Sequence, residues 1–150
     1  MQFFATGSAA ANTGGKVTFT WKANPPRDRV VGYRLYYGGT SRYKSRGGAG
    51  KNFRYDYYID FAKRKRCVPG VKGGACRTLK PDELRCKGLK SEYPTCTISN
   101  LHGHLFFALT AYNTRSESGY TPELGMTVNP EGLAAVQTTV QELLLRKRSK

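Results

Sequence analysis

The sequence has few acidic residues, few histidines and no long apolar run. Its 150 residues include 10 Asp or Glu and 2 His, against 25 Lys or Arg. No apolar stretch approaches the ~20 residues that a membrane-spanning helix needs. No catalytic triad, placed pair of carboxylates or close CxxC zinc spacing is recognisable. These absences predict a protein that is not an enzyme, has no transmembrane segment and holds no metal or cofactor.

Two short motifs resemble functional sites without meeting their requirements. His102-Gly103-His104 supplies two metal ligands, and two ligands do not make a site. Gly47 to Lys51 resembles a phosphate loop but lacks the GxxxxGK[ST] spacing. The N-terminal residues have a short apolar patch and no basic lead, so they do not form an intact secretory signal. Either the chain is not exported by that route, or its leader is missing from the sequence.

The positive charge is concentrated in the middle of the chain. The formal net charge is +15, and residues 42–90 hold 15 Lys or Arg and 4 Asp or Glu, which gives +11. A field of this size favours acidic protein surfaces and polyanions such as nucleic acid or acidic polysaccharide, and it permits contact with a membrane surface. The alternative interpretation is a solvated face that only keeps the protein soluble.

Apolar residues at every second position predict β-strands that pack around a shared core. Period-2 alternation is clearest at Val17 to Trp21, at Val31 to Tyr37 and at Leu105 to Ala111. The residues that alternate with Leu105 to Ala111 are also mostly apolar, so that strand is predicted to be central and covered on both faces. The predicted core residues are Trp21, Tyr33, Leu35, Phe107 and Leu109.

These strands also carry a family resemblance. Four segments resemble a bacterial-type fibronectin type III domain and follow its order along the chain. They are VTFTW (17–21), VGYRLYYG (31–38), FFALTAYN (106–113) and ESGY (117–120). The resemblance implies an all-β, immunoglobulin-like β-sandwich that serves interaction and assembly. Leu105 stands where the family usually has a tyrosine that ties down a corner of the sandwich, so that tie is expected to be absent.

The segment 45–95 departs from the family pattern and is interpreted as an insertion in a sandwich spanning 1–128. Phe53 to Phe61 alternates strongly, which predicts a long edge strand or half of a projecting hairpin. Pro81 to Arg85 fits one helical turn. The basic run Lys63, Arg64, Lys65 and Arg66 is the predicted partner-binding segment, and the sandwich is expected to fold without the insertion.

Four cysteines, Cys67, Cys76, Cys86 and Cys96, lie nine, ten and ten residues apart. These spacings suit small loops closed by disulfides, such as Cys67–Cys76 and Cys86–Cys96, although all three pairings stay open. Each bridge is expected to stabilise the insertion by ~2–4 kcal/mol. A four-cysteine zinc site and free thiols are the alternatives. Disulfides imply an oxidising, extracytoplasmic location, whether periplasmic, secreted or on the cell surface.

Residues 129–150 are predicted to form a C-terminal amphipathic helix and a basic tail. Leu133, Val136, Val140, Leu143 and Leu144 fall at helical spacing, and the tail contains Arg146, Lys147 and Arg148. The helix is expected either to pack on its own domain or to dock on a partner.

The sequence thus predicts a non-catalytic interaction or structural subunit of a larger extracytoplasmic assembly. It would bind protein subunits with acidic surfaces through its insertion and its C-terminal helix and tail. The alternatives are a virion or tail component and a polyanion-binding module.

Overall fold

A computed structural model shows an all-β protein with two antiparallel sheets, as the sequence predicts. It describes residues 3–9, 15–43, 53–71, 75–128 and 134–136. A short 3-10 helix spans Pro26–Asp28. The strands are β1 (Phe3–Ala9), β2 (Gly15–Trp21), β3 (Gly32–Gly38), β4 (Tyr57–Asp60), β5 (Lys65–Cys67), β6 (Cys76–Thr78), β7 (Leu84–Lys87), β8 (Thr95–Leu101), β9 (Gly103–Tyr112), β10 (Leu124–Val128) and β11 (Ala134–Val136).

The two sheets differ in size. The four-stranded sheet has the order β1-β2-β8-β7, and the seven-stranded sheet has the order β11-β10-β9-β3-β4-β5-β6. The chain passes from one sheet to the other after β2, after β6 and after β8. As a result, β6 and β7, which follow each other in sequence, are edge strands of different sheets.

Alternation along β2 determines which of its faces is buried. Val17, Phe19 and Trp21 are fully buried, whereas Thr18 and Thr20 are half-buried on the opposite face. The two threonine hydroxyls form hydrogen bonds with threonine hydroxyls of β8, at 2.8 and 3.3 Å. This is the pattern of a strand with one face toward a core and the other toward solvent.

The core lies between the two sheets, which pack face to face as a β-sandwich. The ring centroids of Phe19 and Phe107, on opposite sheets, are 4.8 Å apart. Trp21 stacks on Phe61 at 5.5 Å and meets the edge of Tyr33 at 5.1 Å. The predicted core residues are all buried, namely Trp21, Tyr33, Leu35, Phe107 and Leu109.

Strand β9 is covered on both faces, as its sequence predicts. Every residue from 106 to 111 is buried. One face belongs to the main core, and the other forms a second apolar cluster in which Phe106 and Ala108 pack with Tyr55, Tyr36 and Phe53. Side chains from the loops therefore cover the outer face of the seven-stranded sheet at its centre.

The predicted insertion is part of both sheets. Strands β4, β5 and β6 extend the larger sheet, and β7 forms the edge of the smaller one. Ile59, Phe61, Leu79 and Leu84 are buried in the main core. The expectation that the sandwich folds without residues 45–95 therefore conflicts with the packing, because removing them would open the core.

Two local predictions within this segment are wrong. The long strand expected from Phe53 is limited to β4, because the chain bends at Asp56, whose carboxylate accepts a hydrogen bond from the Gly39 amide at 3.1 Å. The helical turn expected at 81–85 is a turn over 81–83, and Leu84 and Arg85 begin β7.

Part of the predicted C-terminal helix is a β-strand in the structure. Ala134–Val136 pair antiparallel with β10, with Met126 opposite Val136 and Val128 opposite Ala134. These residues are extended, so the helix prediction is wrong for them. The rest of the predicted helix and the basic tail with Arg146, Lys147 and Arg148 lie outside the described residues.

Candidate partner-binding surfaces

The basic residues of the middle segment collect where the edges of the two sheets meet. Strands β5 and β6 carry Lys65, Arg66 and Arg77, and the following turn and β7 carry Lys80, Arg85 and Lys87. The Arg64 guanidinium joins the two sheets by donating to the Leu84 carbonyl of β7 at 2.6 Å. We call this surface the basic side, defined by Lys63, Arg64, Lys65, Arg66, Arg77, Lys80, Arg85 and Lys87.

The four predicted binding residues on the basic side have different environments. Lys63 and Lys65 are exposed, whereas Arg64 and Arg66 are half-buried. Arg64 has a positive φ of 55° and binds the β7 backbone, and the Arg66 guanidinium lies 4.6 Å from the centre of the Tyr57 ring. The two lysines are therefore available to a partner, and the two arginines also support the fold.

Acidic residues compensate little of this charge. Residues 63–90 contain ten Lys or Arg and two Asp or Glu in the sequence. Glu83 is engaged by Arg77 through two hydrogen bonds of 2.9 Å. These bonds, together with the Lys80 amide, lower the pKa of Glu83 to about 2. Glu83 stays ionised and is already paired, so the other cations of the basic side keep a strong positive field.

A second polar surface lies on the outer face of the seven-stranded sheet. The Glu117 carboxylate accepts hydrogen bonds from Arg34 at 2.8 Å, from the Tyr36 hydroxyl at 2.6 Å and from Thr110 at 2.7 Å. Nearby, the Tyr112 hydroxyl donates to the Asp60 carboxylate at 2.8 Å. Together these residues link β3, β4, β9 and the loop after β9.

The same face contains a buried carboxylate, Glu123. It accepts hydrogen bonds from Ser41, from the Arg42 amide at 3.1 Å and from the Tyr55 hydroxyl at 2.5 Å. The Arg42 guanidinium lies 3.8 Å from the same carboxylate and donates to the Tyr55 hydroxyl at 2.6 Å. We call both networks together the tyrosine–arginine face, defined by Arg34, Tyr36, Arg42, Tyr55, Asp60, Thr110, Tyr112, Glu117, Tyr120 and Glu123.

Several tyrosines of this face are held in their neutral form. Burial raises the pKa of Tyr36 above its ordinary value, and the hydrogen bond to Glu117 raises it further. Burial and the hydrogen bond to Glu123 do the same for Tyr55. Burial and Asp60 raise the pKa of Tyr112 to about 12. A neutral hydroxyl can donate a hydrogen bond to a carboxylate, whereas a phenolate cannot. Because the pKa values of these tyrosines are raised, the hydrogen bonds persist to higher pH.

Sequence reasoning missed the tyrosine–arginine face. Its carboxylates lie far along the chain from their partners, with Glu123 separated from Tyr55 by 68 residues and Glu117 from Arg34 by 83. The available signal was the alternation along β3, where Arg34 and Tyr36 occupy the face opposite to Tyr33, Leu35 and Tyr37. That pattern predicts a polar outer face but does not identify the residues that pair with Arg34 and Tyr36.

The four cysteines form two disulfides, Cys67–Cys76 and Cys86–Cys96. Each joins residues that face each other on neighbouring antiparallel strands, across β5–β6 and across β7–β8. This agrees with the expectation of disulfides and selects one of the three pairings that the spacing left open. The bridges indicate an oxidising, extracytoplasmic environment.

Neither a metal site nor a membrane-spanning helix occurs among the described residues. No three His, Cys, Asp or Glu side chains in that part of the chain are grouped so as to hold a metal ion. His104 pairs through its Nδ1 atom with the Thr127 hydroxyl at 2.9 Å, and His102 is exposed. Within the same residues, no helix is long and apolar enough to span a membrane.

No protein-family model matches the chain, and no curated protein sequence matches it.

Proposed function

We propose that the protein is a non-catalytic interaction module of the fibronectin type III class, which docks onto an acidic partner protein through the basic side. The observation that carries this proposal is the uncompensated charge of residues 63–90 at the meeting edges of the two sheets. Exposed cations in such a cluster act together on an acidic surface and speed its association.

The strand order supports an immunoglobulin-like sandwich, the broader architecture to which fibronectin type III domains belong. In immunoglobulin-like constant domains, one sheet has the order A-B-E-D and the other contains C, F and G. If β1, β2, β3, β7, β8, β9 and β10 are equated with A, B, C, D, E, F and G, both sheets follow that order. The segments that resemble the family then lie on strands B, C and F and in the loop after F. In this assignment, β4–β6 and β11 are additions.

The proposed setting is a larger assembly outside the cytoplasm, in the periplasm, in the secreted fraction or on the cell surface. The two disulfides support this setting because thiols stay reduced in most cytoplasms. The C-terminal segment with Arg146, Lys147 and Arg148 is proposed to add to the binding. A virion or tail component and a polyanion binder remain the alternative proposals.

The test compares two charge reversals in the intact, disulfide-bonded protein. Lys63→Glu/Lys65→Glu changes the exposed lysines of the basic side, and Lys22→Glu/Arg115→Glu changes two exposed cations elsewhere. Both variants alter the net charge equally. We expect the first to weaken binding of labelled poly-glutamate about tenfold at low salt, since exposed ion pairs contribute up to ~1 kcal/mol each. The control should bind nearly as the wild type does.

The same titrations separate the outcomes. Equal weakening by both variants would show that only net charge matters and would contradict docking at the basic side. The loss should shrink at high salt, because ions screen exposed charges. Binding to a sulfated polysaccharide or to single-stranded DNA that is tighter than binding to poly-glutamate would favour the polyanion alternative.

A further inference from the structure

One end of the sandwich holds a cavity that the proposed function does not use. It has a volume of about 630 Å³ and lies where β2, β4 and β7 end. Three connections form its walls, the β2–β3 connection, the turn after β4 and the turn after β7. Pockets for small ligands typically have ~300–1,000 Å³, so the cavity has the size of a binding site for a small molecule.

Most of the cavity wall is apolar. Its apolar residues include Pro25, Pro26, Val30, Val31, Tyr33 and Leu89. Val31 is 55% exposed, so part of this apolar wall is open to solvent. Such a wall gains free energy when an apolar group displaces water from it.

The charged residues of the wall all have the same sign. Arg29 and Lys90 line the cavity, and none of its lining residues is Asp or Glu. The neighbouring Asp28 carboxylate is directed to Asn24, whose Nδ2 atom donates to it at 3.1 Å. The wall therefore favours an anion over a cation or a neutral molecule.

Arg29 occupies a backbone position that glycine would fill with less strain. Its φ is 51° and its ψ is 43°, and its amide donates to the Pro26 carbonyl at the end of the 3-10 helix. The left-handed conformation is unfavourable for an L-residue other than glycine. An arginine here adds a charged side chain beside the cavity at a site where the fold would accept glycine.

A buried polar atom in the wall has no hydrogen-bond partner among the described residues. Asn24 lines the cavity, and its Oδ1 atom is buried without a hydrogen bond to any described residue. Buried polar atoms in native proteins nearly always have a partner. This oxygen is an acceptor, so a bound water, and not an anionic ligand group, would supply its donor.

We propose that this cavity binds a small organic anion with an apolar body, of the aromatic carboxylate type. Arg29 and Lys90 pair with the carboxylate, and the proline, valine and leucine side chains contact the apolar body. This site is independent of the basic side, so the two proposals succeed or fail separately.

The first experiment uses the wild-type protein and two matched probes, 1-naphthoate and its neutral amide, 1-naphthamide. The chain has one tryptophan, so its indole N–H gives a single NMR cross-peak. Trp21 meets Tyr33, a residue of the cavity wall, which makes that peak a reporter of binding. We expect saturable shifts of this peak and of the amides of Gly32 and Ser91, with naphthoate binding at least tenfold more tightly than naphthamide.

The second experiment removes the cations. Arg29→Gly/Lys90→Gln retains a residue suited to the left-handed position and removes both charges. It should weaken naphthoate binding about tenfold and leave naphthamide binding unchanged. The control Lys22→Gln/Arg115→Gln removes two exposed cations that belong neither to the cavity wall nor to the basic side, and it should bind naphthoate normally.

Either titration can overturn the proposal. Equal affinity of the wild type for the acid and the amide would exclude recognition of the charge. Shifts confined to residues outside the cavity, or no saturable binding at millimolar probe, would exclude the site. If Arg29→Gly/Lys90→Gln does not fold, the comparison of the two probes on the wild type still decides.

Discussion

The tyrosine–arginine face and the basic side both contain arginines, but they differ in how the charge is compensated. On the tyrosine–arginine face, Arg34 lies against Glu117 and Asp60, and Arg42 lies against Glu123. On the basic side, the Arg77–Glu83 pair stands among many more cations than acids. Compensated arginines hold distant segments of the chain together, whereas uncompensated cations project a field that a partner can use.

The largest expected effect comes from removing the buried carboxylate of the tyrosine–arginine face. Glu123→Ala removes the carboxylate that lies beside the Arg42 guanidinium and that accepts the hydrogen bond of the Tyr55 hydroxyl. Breaking a buried pair in this way typically costs ~3–5 kcal/mol, and urea unfolding measures it.

The matched control on the basic side is Glu83→Ala. Its pair with Arg77 is more exposed, with half of the arginine side chain accessible, so the expected loss is at most ~1 kcal/mol. If Glu123→Ala and Glu83→Ala lost the same free energy of unfolding, the tyrosine–arginine face and the basic side would not differ in how much their ion pairs stabilise the fold.

The two disulfides sharpen the same comparison with a smaller effect. Their loops are almost equal, with sequence separations of 9 and 10, so loop entropy predicts similar losses of ~2–4 kcal/mol for each double alanine variant. Cys96 lies fully buried in the main core, whereas Cys76 is exposed on an edge strand. Cys86→Ala/Cys96→Ala should therefore lose more stability than Cys67→Ala/Cys76→Ala in thermal unfolding.

If Cys67→Ala/Cys76→Ala lost more stability than Cys86→Ala/Cys96→Ala, the bridge on the basic side would stabilise the protein more than the bridge that reaches into the core. That result would assign the hairpin β5–β6 a larger share of the stability than its exposure suggests.

The last expected effect is a loss of stability that appears only at alkaline pH. The folded-state pKa values of Tyr36, Tyr55 and Tyr112 are raised, so the folded state keeps protons that the unfolded state releases above about pH 10. Their contribution is complete below pH 10 and is lost as pH rises toward 12 and beyond.

An ultraviolet titration of the ten tyrosines tests this. In the native protein, part of the absorbance change should be delayed relative to the same protein in urea, and Tyr36→Phe should reduce the delayed fraction. Coincident native and denatured curves would contradict the networks of the tyrosine–arginine face.

Period-2 alternation was enough to predict the core. Trp21, Leu35 and Leu109 occupy alternating positions on strands whose register keeps one face inward, so a local pattern contains the information. The cysteine spacings predicted disulfides that close small loops but left the pairing open, and the pairing was decided by which cysteines face each other across neighbouring strands.

The failures arise where tertiary contacts decide. The alternation from Phe53 to Phe61 is broken by the bend at Asp56, so Tyr55 packs on the outer face and Ile59 on the inner one. The Glu123 cluster joins residues that the sequence shows only as separate loops. At Ala134–Val136, pairing with β10 overrides the helical spacing of the apolar residues.

The contact between Arg64 and the Leu84 carbonyl also bears on whether this edge of the sandwich can pair with another molecule. An edge strand such as β7 presents backbone groups that can recruit a strand from another molecule and begin a fibre. By occupying one of those acceptors with a guanidinium, and by surrounding the edge with like charges, the chain hinders self-polymerisation. The residues that would attract an acidic partner thus also repel a second copy of the same chain.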